Sequence, residues 1–363
     1  MEQADQTEEK VPPPGEEDGP PPGVDPAPLI FVGGTGRSGT HVVAKLLSKN
    51  VRYGLVPVEV RFHSDDDGFP GLLAGEVSKQ AFVKRMRGFW WKGFQTNRMR
   101  GLHRFVPRER FEAALERFEA GYDAAPSEAC RDLFYDLLWA RTERAEADER
   151  VGIIEQSCDT VAEGATLAPL FPEARFVHVL RDGRDASSSR VAQAKGIVYP
   201  RNRVQGLEWW EARLRAIDAG ARAIPDERLL EIELGDFFQP GRRQRQLKQL
   251  AAFAGVRPGR NLNRFLRRRM NRESANEERW RRGLSESEQA EIDELYLAAL
   301  RRLEADGVTS ASMLRRAHAR SVRRADNGAE AEEGANNGSG ANNGSGASDG
   351  EPQTERGEPQ DGG

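Results

Sequence analysis

The sequence predicts an α/β fold, in which a single three-layer domain is built on a mostly parallel sheet and carries a helical insert. Short apolar runs alternate with segments of helical periodicity, and the first apolar run leads directly into a glycine-rich turn that opens a helix. This alternation is typical of parallel strands joined by right-handed crossovers. We place the insert at about 80–147, above the carboxyl ends of the strands.

Five apolar runs are the strand candidates. The first is uninterrupted, as expected for a strand that is buried on both faces of a sheet. The runs are PLIFVG (28–33), VPVEV (56–60), VGIIE (151–155), RFVHVL (175–180) and LLEIEL (229–234).

Helices are predicted between these strands from apolar stripes and one capping pattern. The segment VVAKLLSK follows the glycine-rich turn, and SESE at 285–288 is a capping box that opens a late helix. Apolar side chains recur at helical spacing in three further stretches. These contain Phe111, Leu115 and Phe118; Leu133, Phe134, Leu137 and Leu138; and Leu207, Trp210, Leu214 and Ile217.

Charge is unevenly distributed along the 363 residues, although 54 Lys and Arg nearly balance 58 Asp and Glu. Residues 1–26 carry a net charge of −7 and residues 326–363 a net charge of −8, which leaves +11 on 27–325. Both ends are rich in Pro, Gly, Asn or Ser, which predicts disordered acidic tails around a domain at 27–325. A basic body indicates an anionic ligand or partner.

Cysteine content and hydropathy indicate the compartment. Two cysteines, Cys130 and Cys158, exclude a disulfide framework or a four-thiolate zinc site and fit a reducing compartment. No apolar run approaches the roughly 18–20 residues of a bilayer span, and the acidic N-terminus is unlike a signal or transit peptide. We therefore expect a cytoplasmic protein without an integral membrane segment. The sequence does not indicate an oligomeric state.

The first chemical motif is GGTGRSGTH at 33–41. Gly34 and Gly39 have the spacing of a P-loop, in which backbone N–H groups bind phosphate at the start of a helix. A kinase or NTPase loop continues with Lys-Ser/Thr, but Thr40 and His41 follow here and the cation is Arg37. This composition favours a phosphate ester that needs no metal ion over a glycine-rich turn with a solvent-facing Arg37.

The second motif is LRDGRDASSS at 180–189. Arg181 follows a predicted strand, at the edge where open α/β sheets bind ligands. Ser189 comes eight residues later, so the two meet only if the chain turns back after the strand. The alternative is an Asp-capped helix with salt-bridged arginines.

Together these motifs resemble the nucleotide-binding motifs of the PAPS-dependent sulfotransferase family, particularly its bacterial members. LEWWEARLRAID (207–218), LLEIELGDFF (229–238) and ERWRRGLSESE (278–288) extend the resemblance over about 28–305. It implies PAPS as co-substrate, no metal ion, and a hydroxyl acceptor on a small molecule, lipid or glycan. The sequence departs from the family pattern at His41, where Thr or Ser is common, and at Gln156, where bacterial members often have Lys.

The resemblance implies a site residue by residue. Arg181 and Ser189 would hold the 3′-phosphate of PAPS, with Arg272 or Arg279–Arg281 covering it. The loop would hold the 5′-phosphate, and Arg37 would also stabilise the charge of the leaving group. The loop residues are Gly36, Arg37, Ser38, Gly39, Thr40 and His41.

Glu59 is the predicted general base. It lies in the second strand candidate, 22 residues after Arg37, and Arg61 follows it as in the tyrosylprotein branch of the family. A carboxylate inside a pocket can have a raised pKa and accept a proton. His41 and His63 are the alternative bases, Arg61 and His63 are candidate substrate contacts, and a surface Glu59 paired with Arg61 is the structural alternative.

Other functions are weighed against this one. A nucleotide or small-molecule kinase is the alternative enzyme, and a non-catalytic nucleotide-binding or nucleic-acid-binding protein is the third class. His63 with Asp65–Asp67 is more typical of a solvated turn than of a metal site. The basic run at 264–272 lacks interleaved aromatics, so we expect a solvated helix face or a segment that covers the cofactor rather than a nucleic-acid site.

Overall fold

Five short strands form one sheet in which every neighbouring pair is parallel. Their order across the sheet is β2-β3-β1-β4-β5, so the chain leaves the central strand toward both sides. Ligands of open α/β sheets bind at the carboxyl ends of the strands beside such a switch point. The strands are β1 (Leu29–Gly34), β2 (Tyr53–Leu55), β3 (Gly152–Glu155), β4 (Arg175–Leu180) and β5 (Leu229–Glu233).

The computed structural model describes residues 28–93, 101–138, 152–195, 198–271 and 277–323. The chain divides into a unit Met1–Ala317, which contains the sheet, and a unit His318–Gly363. Of the second unit, 318–323 are described; they are helical, and the Ser321 hydroxyl donates to the carbonyl of His318. The predicted tails at 1–26 and 326–363, and Arg272, lie outside the described residues.

Eleven α-helices follow or connect the strands among the described residues between 28 and 305, and the predicted stripes at 111–118, 133–138 and 207–217 are buried in them as expected. None of the described helices is both long and apolar enough to cross a bilayer. The helices are α1 (Thr40–Leu47), α2 (Phe69–Leu73), α3 (Lys79–Arg85), α4 (Arg108–Gly121), α5 (Pro126–Leu138), α6 (Gly164–Leu170), α7 (Gly183–Ala194), α8 (Arg203–Ala221), α9 (Arg243–Ala254), α10 (Arg260–Arg269) and α11 (Glu286–Ala305).

The central strand explains the three layers. All six residues of β1 are buried, and alternate side chains enter different cores because successive side chains of a strand point to opposite faces. Leu29 and Phe31 pack with the helices of the insert and α6, whereas Ile30 and Val32 pack with α1, α9 and α10. A third cluster joins α7, α8 and α11 around Trp210, which is fully buried. The predicted α/β fold with a parallel sheet is confirmed.

The second strand is displaced from its predicted position. The strand is Tyr53–Leu55, whereas residues 56–60 form a loop beyond its carboxyl end. The last ladder contact is the Val56 N–H donating to the carbonyl of Ile154 at 2.9 Å. Pro57 follows and has no N–H to donate, so the ladder ends there. Glu59 therefore lies in a loop at the carboxyl edge of the sheet and not within a strand.

The backbone of α8 contacts the segment before α6 at Gly220 so closely that adding one methyl group there should destabilise the protein. A Cβ at Gly220 would lie 2.0 Å from the carbonyl oxygen of Ala162 and 2.4 Å from that of Val161. Backbone carbonyls cannot move aside as a side chain can, so Gly220→Ala should lower the free energy of unfolding by about 1–3 kcal/mol or more. Urea titration measures this change.

Gly88→Ala is the matched control. Gly88 is also helical, but a Cβ there would meet nothing within 4 Å. Removing the flexibility of glycine should then leave stability unchanged or raise it by up to about 1 kcal/mol. Equal stability of the Gly220→Ala variant and the wild type would contradict the close backbone contact.

Candidate functional site

The loop Thr35–Gly39 connects β1 to α1 with an unusual backbone. Gly36 has φ of 80°, Arg37 of 60° and Gly39 of 95°, all in the left-handed region. Glycine adopts this conformation without strain, but arginine does so rarely, and such residues cluster at functional sites. No side chain caps α1 at Gly39, so its first N–H groups are available to an anion.

Ser38 offers a donor inside this loop. The residue is 1% exposed, and its hydroxyl has no hydrogen-bond partner among the described residues. Buried hydroxyls are almost always hydrogen-bonded, so an oxyanion held by the loop would satisfy an otherwise unpaired group. The loop therefore fits a phosphate in both its backbone shape and its unused donor.

The second motif meets this loop directly. The chain turns back after β4, and α7 begins at Gly183 with the Asp182 side chain accepting from the Arg184 N–H. Ser189 then reaches the loop, where its hydroxyl accepts from Arg37 Nε at 2.9 Å. Arg181 Nη1 donates to the carbonyl of Arg37 at 2.9 Å. Arg181 and Ser189 therefore both contact Arg37, one through its carbonyl and the other through its guanidinium.

The structural alternative for this motif also holds in part. Arg184 is buried, stacks on Trp280, and pairs with Asp182 and Asp293. The buried ion pairs of the capped helix belong to Arg184, whereas Arg181 lies at the edge of the sheet, 3.9 Å from Asp185. One residue of the motif stabilises the helix while its neighbours face the loop.

Asp185 attaches the late Arg-Trp-Arg turn to the same place. Its carboxylate accepts from the N–H groups of Glu278 and Trp280, both at 3.1 Å, and lies 3.9 Å from Arg181 Nη2. Burial, with repulsion from Asp182, raises the pKa of Asp185 to about 6, although Arg181 opposes the shift. The predicted covering residues Arg279 and Arg281 are thus held beside the start of α7.

Glu59 lies close to the loop Thr35–Gly39 through a shared neighbour, Cys158. Its Oε1 is 3.8 Å from Cys158 Sγ, and Cys158 Sγ is 3.9 Å from the position of a Cβ on Gly36. Glu59 is exposed, yet the protein on its other sides raises its pKa mainly by desolvation, an effect that Arg61 opposes.

Arg61 does not form the expected ion pair with Glu59. Its Nε donates to Asp65 at 2.7 Å, and its Nη2 lies 3.7 Å from Asp159. Arg61 also has φ of 58°, and its N–H donates to the Ser157 hydroxyl at 3.3 Å. Because Arg61 pairs with other carboxylates, that of Glu59 is not neutralised by a direct ion pair within the described residues.

The two departures from the family pattern are in contact. His41 Nδ1 lies 2.6 Å from Gln156 Oε1, and Gln156 Nε2 donates to the carbonyl of Val56 at 3.3 Å. An amide oxygen only accepts, so His41 carries its proton on Nδ1. Surrounding protein lowers the pKa of His41, the bond to Gln156 opposes this shift, and Lys45 reinforces it. His41 and Gln156 therefore form one unit that joins α1 to the end of β3.

His63 is enclosed in the core. It is fully buried, stacks on Phe31, and its Nε2 lies 3.0 Å from Glu155 Oε2. Glu155 is also fully buried and accepts from the N–H and the hydroxyl of Ser157. An acceptor would reach His63 only after rearrangement of the core. Within the described ranges, no three potential metal ligands cluster, the His63 and Asp65–Asp67 segment included.

Sequence reasoning missed two residues that face the loop. Trp209 lies 3.7 Å from the position of a Cβ on Gly36, and the Arg190 guanidinium stacks over its ring at 5.5 Å. Cys158 is the second residue, between Gly36 and Glu59. The apolar stripe of α8 identified Trp210 as a core residue. The available signal for Trp209 was that it is a large aromatic residue outside this stripe, beside Trp210.

Comparisons with known proteins identify the family. The model of the sulfotransferase family matches residues 28–258. No curated protein matches the chain significantly.

Several solved structures are similar. The sulfotransferase domain of the Synechococcus PCC 7002 olefin synthase is 16% identical with a TM-score of 0.43, over 77% of this chain and 96% of its own. The sulfotransferase domain from the curacin biosynthetic pathway is 14% identical with a TM-score of 0.43, over 66% and 77%. A sulfotransferase from Mycobacterium avium is 14% identical with a TM-score of 0.37, over 67% of each chain.

The half-buried carboxyl of Glu163, which lies near Asp66 and Asp159, predicts that the stability of the fold depends on pH. Burial, reinforced by Asp66 and Asp159, raises the pKa of Glu163 to about 7 from its ordinary 4.5. The folded protein thus binds this proton more tightly than the unfolded chain does. The resulting stability is complete below about pH 4.5 and is lost as the pH rises through about 7.

Glu163→Gln keeps a neutral side chain at every pH and should remove this dependence. We expect the melting temperature of the variant, relative to wild type, to rise between about pH 5 and about pH 8. Glu76→Gln, at an exposed position, is the control and should follow the wild type. Parallel curves for all three proteins would show that Glu163 titrates normally.

Proposed function

The chain belongs to the sulfotransferase family, and from this premise we propose that it transfers a sulfuryl group from PAPS to a hydroxyl of a small-molecule, lipid or glycan acceptor. The observation that carries the proposal is the contact of the two phosphate motifs through Arg37 and Ser189. A nucleotide with phosphates at both the 5′ and 3′ positions suits two anion sites that share one guanidinium. ATP has no 3′-phosphate to occupy the second site.

The loop holds the 5′-phosphate in this proposal. The N–H groups of Ser38, Gly39, Thr40 and His41 would donate to it at the start of α1, and the buried Ser38 hydroxyl would gain the partner that it lacks. Gly36 and Gly39 supply the backbone conformation that brings these groups together. The positive φ of both glycines supports this role.

Arg181 and Ser189 hold the 3′-phosphate. Arg181 is oriented by the carbonyl of Arg37 and by Asp185, and the Ser189 hydroxyl is free to donate while it accepts from Arg37. A guanidinium that is already oriented loses less conformational entropy when a phosphate binds. Asp185 thereby acts as a positioning residue for the pair.

Arg37 stabilises the charge that develops as the sulfuryl group leaves. PAPS supplies that group, and transfer by in-line displacement requires positioning and charge stabilisation from the protein rather than covalent chemistry. Since Gln156 stands where bacterial relatives often have Lys, Arg37 is the cation nearest to this position in our proposal. Where relatives have this Lys, the His41–Gln156 unit provides neutral hydrogen-bonding groups.

Glu59 removes the proton of the acceptor hydroxyl. Its loop lies beyond β2, on the same edge of the sheet as the phosphate loop, and Cys158 lies between the two. The raised pKa makes the Glu59 carboxylate a stronger base than an ordinary glutamate, while Arg61 is engaged by Asp65. The acceptor would enter beside Trp209 and Cys158, which gives the site an apolar wall.

The cytoplasm as location and the absence of a metal requirement stay predictions. A nucleotide or small-molecule kinase remains as an outcome of the binding test below, since it too would use the loop. The loop sequence disfavours it, because Thr40 and His41 replace the Lys-Ser/Thr that contacts the terminal phosphates and Mg²⁺.

Nucleotide binding tests the donor. Calorimetry should detect 3′-phosphoadenosine 5′-phosphate at micromolar affinity, with far weaker binding of 5′-AMP. Arg181→Ala removes a charged hydrogen bond worth about 1.5–3 kcal/mol, so affinity should fall about 10- to 100-fold. Ser189→Ala should show a smaller loss in the same direction. Arg117→Ala, at an exposed ion pair on α4, serves as the control.

Two results would contradict the donor assignment. Equal affinities for 5′-AMP and the bisphosphate nucleotide would show that the protein has no 3′-phosphate site. Binding of ATP with Mg²⁺, and of neither other nucleotide, would favour the kinase. An unchanged affinity in Arg181→Ala, with the bisphosphate still preferred, would move the 3′-phosphate site to other residues.

Glu59→Gln tests the base. Turnover with radiolabelled PAPS and a hydroxyl acceptor chosen by screening should fall by about 10²–10⁴, because general base catalysis contributes that much. Affinity for the bisphosphate nucleotide should not change. In wild type, kcat/KM should rise with pH through the raised pKa of Glu59 and then level, since the ionised form is active, and Glu59→Gln should lose this limb.

His41→Asn separates the competing base from Glu59. Asparagine can still donate to Gln156 but cannot accept a catalytic proton. Retention of the acid limb in His41→Asn and its loss in Glu59→Gln supports Glu59, and the reverse result assigns the proton to His41. Glu76→Gln controls for the loss of one surface carboxylate.

A further inference from the structure

One face of the sheet is covered by helices that carry only basic charge. The helices α1, α9 and α10 pack on it through a shared apolar core that contains Val43, Leu247 and Leu262. None of the three helices contains an Asp or a Glu. Their exposed side chains instead include Lys45, Arg245 and Lys248, and Lys49 follows α1. This layer therefore presents a surface of one sign.

The charge is concentrated in a single stretch of the chain. Residues 237–271 contain nine Arg, one Lys and no acidic residue. The whole segment 27–325 has a net charge of +11, so this stretch accounts for nearly all of the positive excess of the body. Elsewhere acids and bases nearly balance. Such a separation of charge is a feature of surfaces that bind polyanions.

Four arginines of this stretch line a groove. The groove has a volume of about 580 Å³ and is lined by Arg257, Arg260, Arg264 and Arg267, together with Asn263. The last three arginines recur at i, i+4 and i+7 on α10, so they lie along one stripe of the helix. Among the described residues, no carboxylate lies within ion-pair distance of Arg257, Arg264 or Arg267. We name this groove the arginine groove.

The floor of the arginine groove is fixed. Asn263 Nδ2 donates to the carbonyls of Pro258 at 2.7 Å and Gly259 at 3.0 Å, which ties the preceding turn to α10. Leu262 and Leu266 hold the helix to the core on its other side. A ligand would therefore meet Arg264 and Arg267 on a helix and Arg257 on a turn that is tied to that helix.

The arginine groove lies away from the candidate site. Tyr53 Oη donates to the carbonyl of Ala254 at 2.5 Å, and Arg175 Nη1 donates to that of Phe253 at 2.6 Å. Tyr53 and Arg175 are the first residues of β2 and β4, so the end of α9 lies at the amino edge of the sheet. The phosphate loop is at the carboxyl edge. The groove is thus a separate anion surface.

The side chains of the groove indicate the chemistry of its ligand. Arginine binds sulfate and phosphate oxygens through two parallel N–H donors, and it predominates here over lysine. Arginines along the stripe are about 5–6 Å apart at their Cβ atoms. This spacing suits anionic groups on successive units of an extended polymer. The arginines of the groove therefore suit an extended chain of oxyanions.

Two classes of polyanion fit this surface less well. Binding of nucleic-acid strands uses exposed aromatic side chains for stacking, but Phe265 is half-buried and lies under Lys49. Peripheral membrane surfaces combine basic with exposed apolar side chains. The exposed large apolar side chains of the described residues are Val198, Tyr199, Val204 and Val322, and none lies on α1, α9 or α10.

We propose that the arginine groove binds a sulfated glycan, as a docking site separate from the nucleotide site. Arg257, Arg264 and Arg267 contact sulfate esters on successive sugars. The apolar side of α10 fixes Arg264 and Arg267, and Asn263 ties the turn that carries Arg257 to the helix. The proposal does not depend on the transfer reaction, because it concerns binding at the opposite edge of the sheet.

The test measures binding of a fluorescent heparin dodecasaccharide to the full chain, with 3′-phosphoadenosine 5′-phosphate at saturation to block the nucleotide site. The groove variant combines Arg257→Gln, Arg264→Gln and Arg267→Gln. The control variant combines Arg104→Gln, Arg301→Gln and Arg316→Gln, which are exposed and change net charge equally. Circular dichroism and melting temperature verify that both variants fold.

The groove variant should bind the dodecasaccharide at least tenfold more weakly than wild type, and the control variant should bind like wild type. The slope of log affinity against log salt should fall by about three in the groove variant, one for each lost ionic contact. The same three positions as lysines should restore part of the affinity, because charge returns without the paired donors.

Four outcomes would overturn the proposal. Equal losses in the groove and control variants would show that only net charge matters. A hyaluronan fragment or a poly-glutamate peptide that binds as tightly as heparin would remove the requirement for sulfate. Tighter binding of a single-stranded oligonucleotide would assign the groove to nucleic acid, and tighter binding of phosphatidylserine vesicles would assign it to a membrane surface.

Discussion

The burial of β1 on both faces is the constraint on which the rest of the structure depends. A strand without a solvent-facing side must be central, and parallel neighbours then place the loops after β1, β3 and β4 at one edge. Arg37, Gln156 and Arg181 follow those three strands. The strand topology therefore places these three residues at the same edge of the sheet, and the helices that follow determine only the individual contacts.

A second buried element fixes the loop that carries Glu59. Glu155 ends β3 and accepts from Ser157 and His63, so the loops after β2 and β3 are joined beneath the surface. The Ser157 hydroxyl also accepts from the Arg61 N–H, two residues from Glu59. A buried carboxylate with several donors is costly to disturb. The rigidity of the exposed base in our proposal thus originates in the core and not at the site.

The strands, most helices and the location of the two motifs after β1 and β4 were predictable because each depends on a local pattern. The predicted position of the second strand was wrong by a few residues. Pro57 ends the hydrogen-bond ladder with β3, but apolar residues continue beyond it. The contact of His41 with Gln156 was not predictable, because each residue alone is only a departure from the family pattern. Trp209 was missed because helical periodicity identifies only the face of α8 that is buried in the core. That Trp209, on another face, lies beside Gly36 is known only from the tertiary structure.

Composition and motifs gave what looked like one signal for an anionic ligand, and the structure separates it into two. The two motifs of the proposed nucleotide site contribute few cations, and Arg181 is already paired with Asp185. Most of the excess charge lies on α9 and α10, at and beyond the amino edge. The six residues of β1 span about 20 Å, more than two Debye lengths of about 8 Å at physiological salt. Cations at that distance contribute little to donor binding, so the basic character of the body requires an explanation of its own.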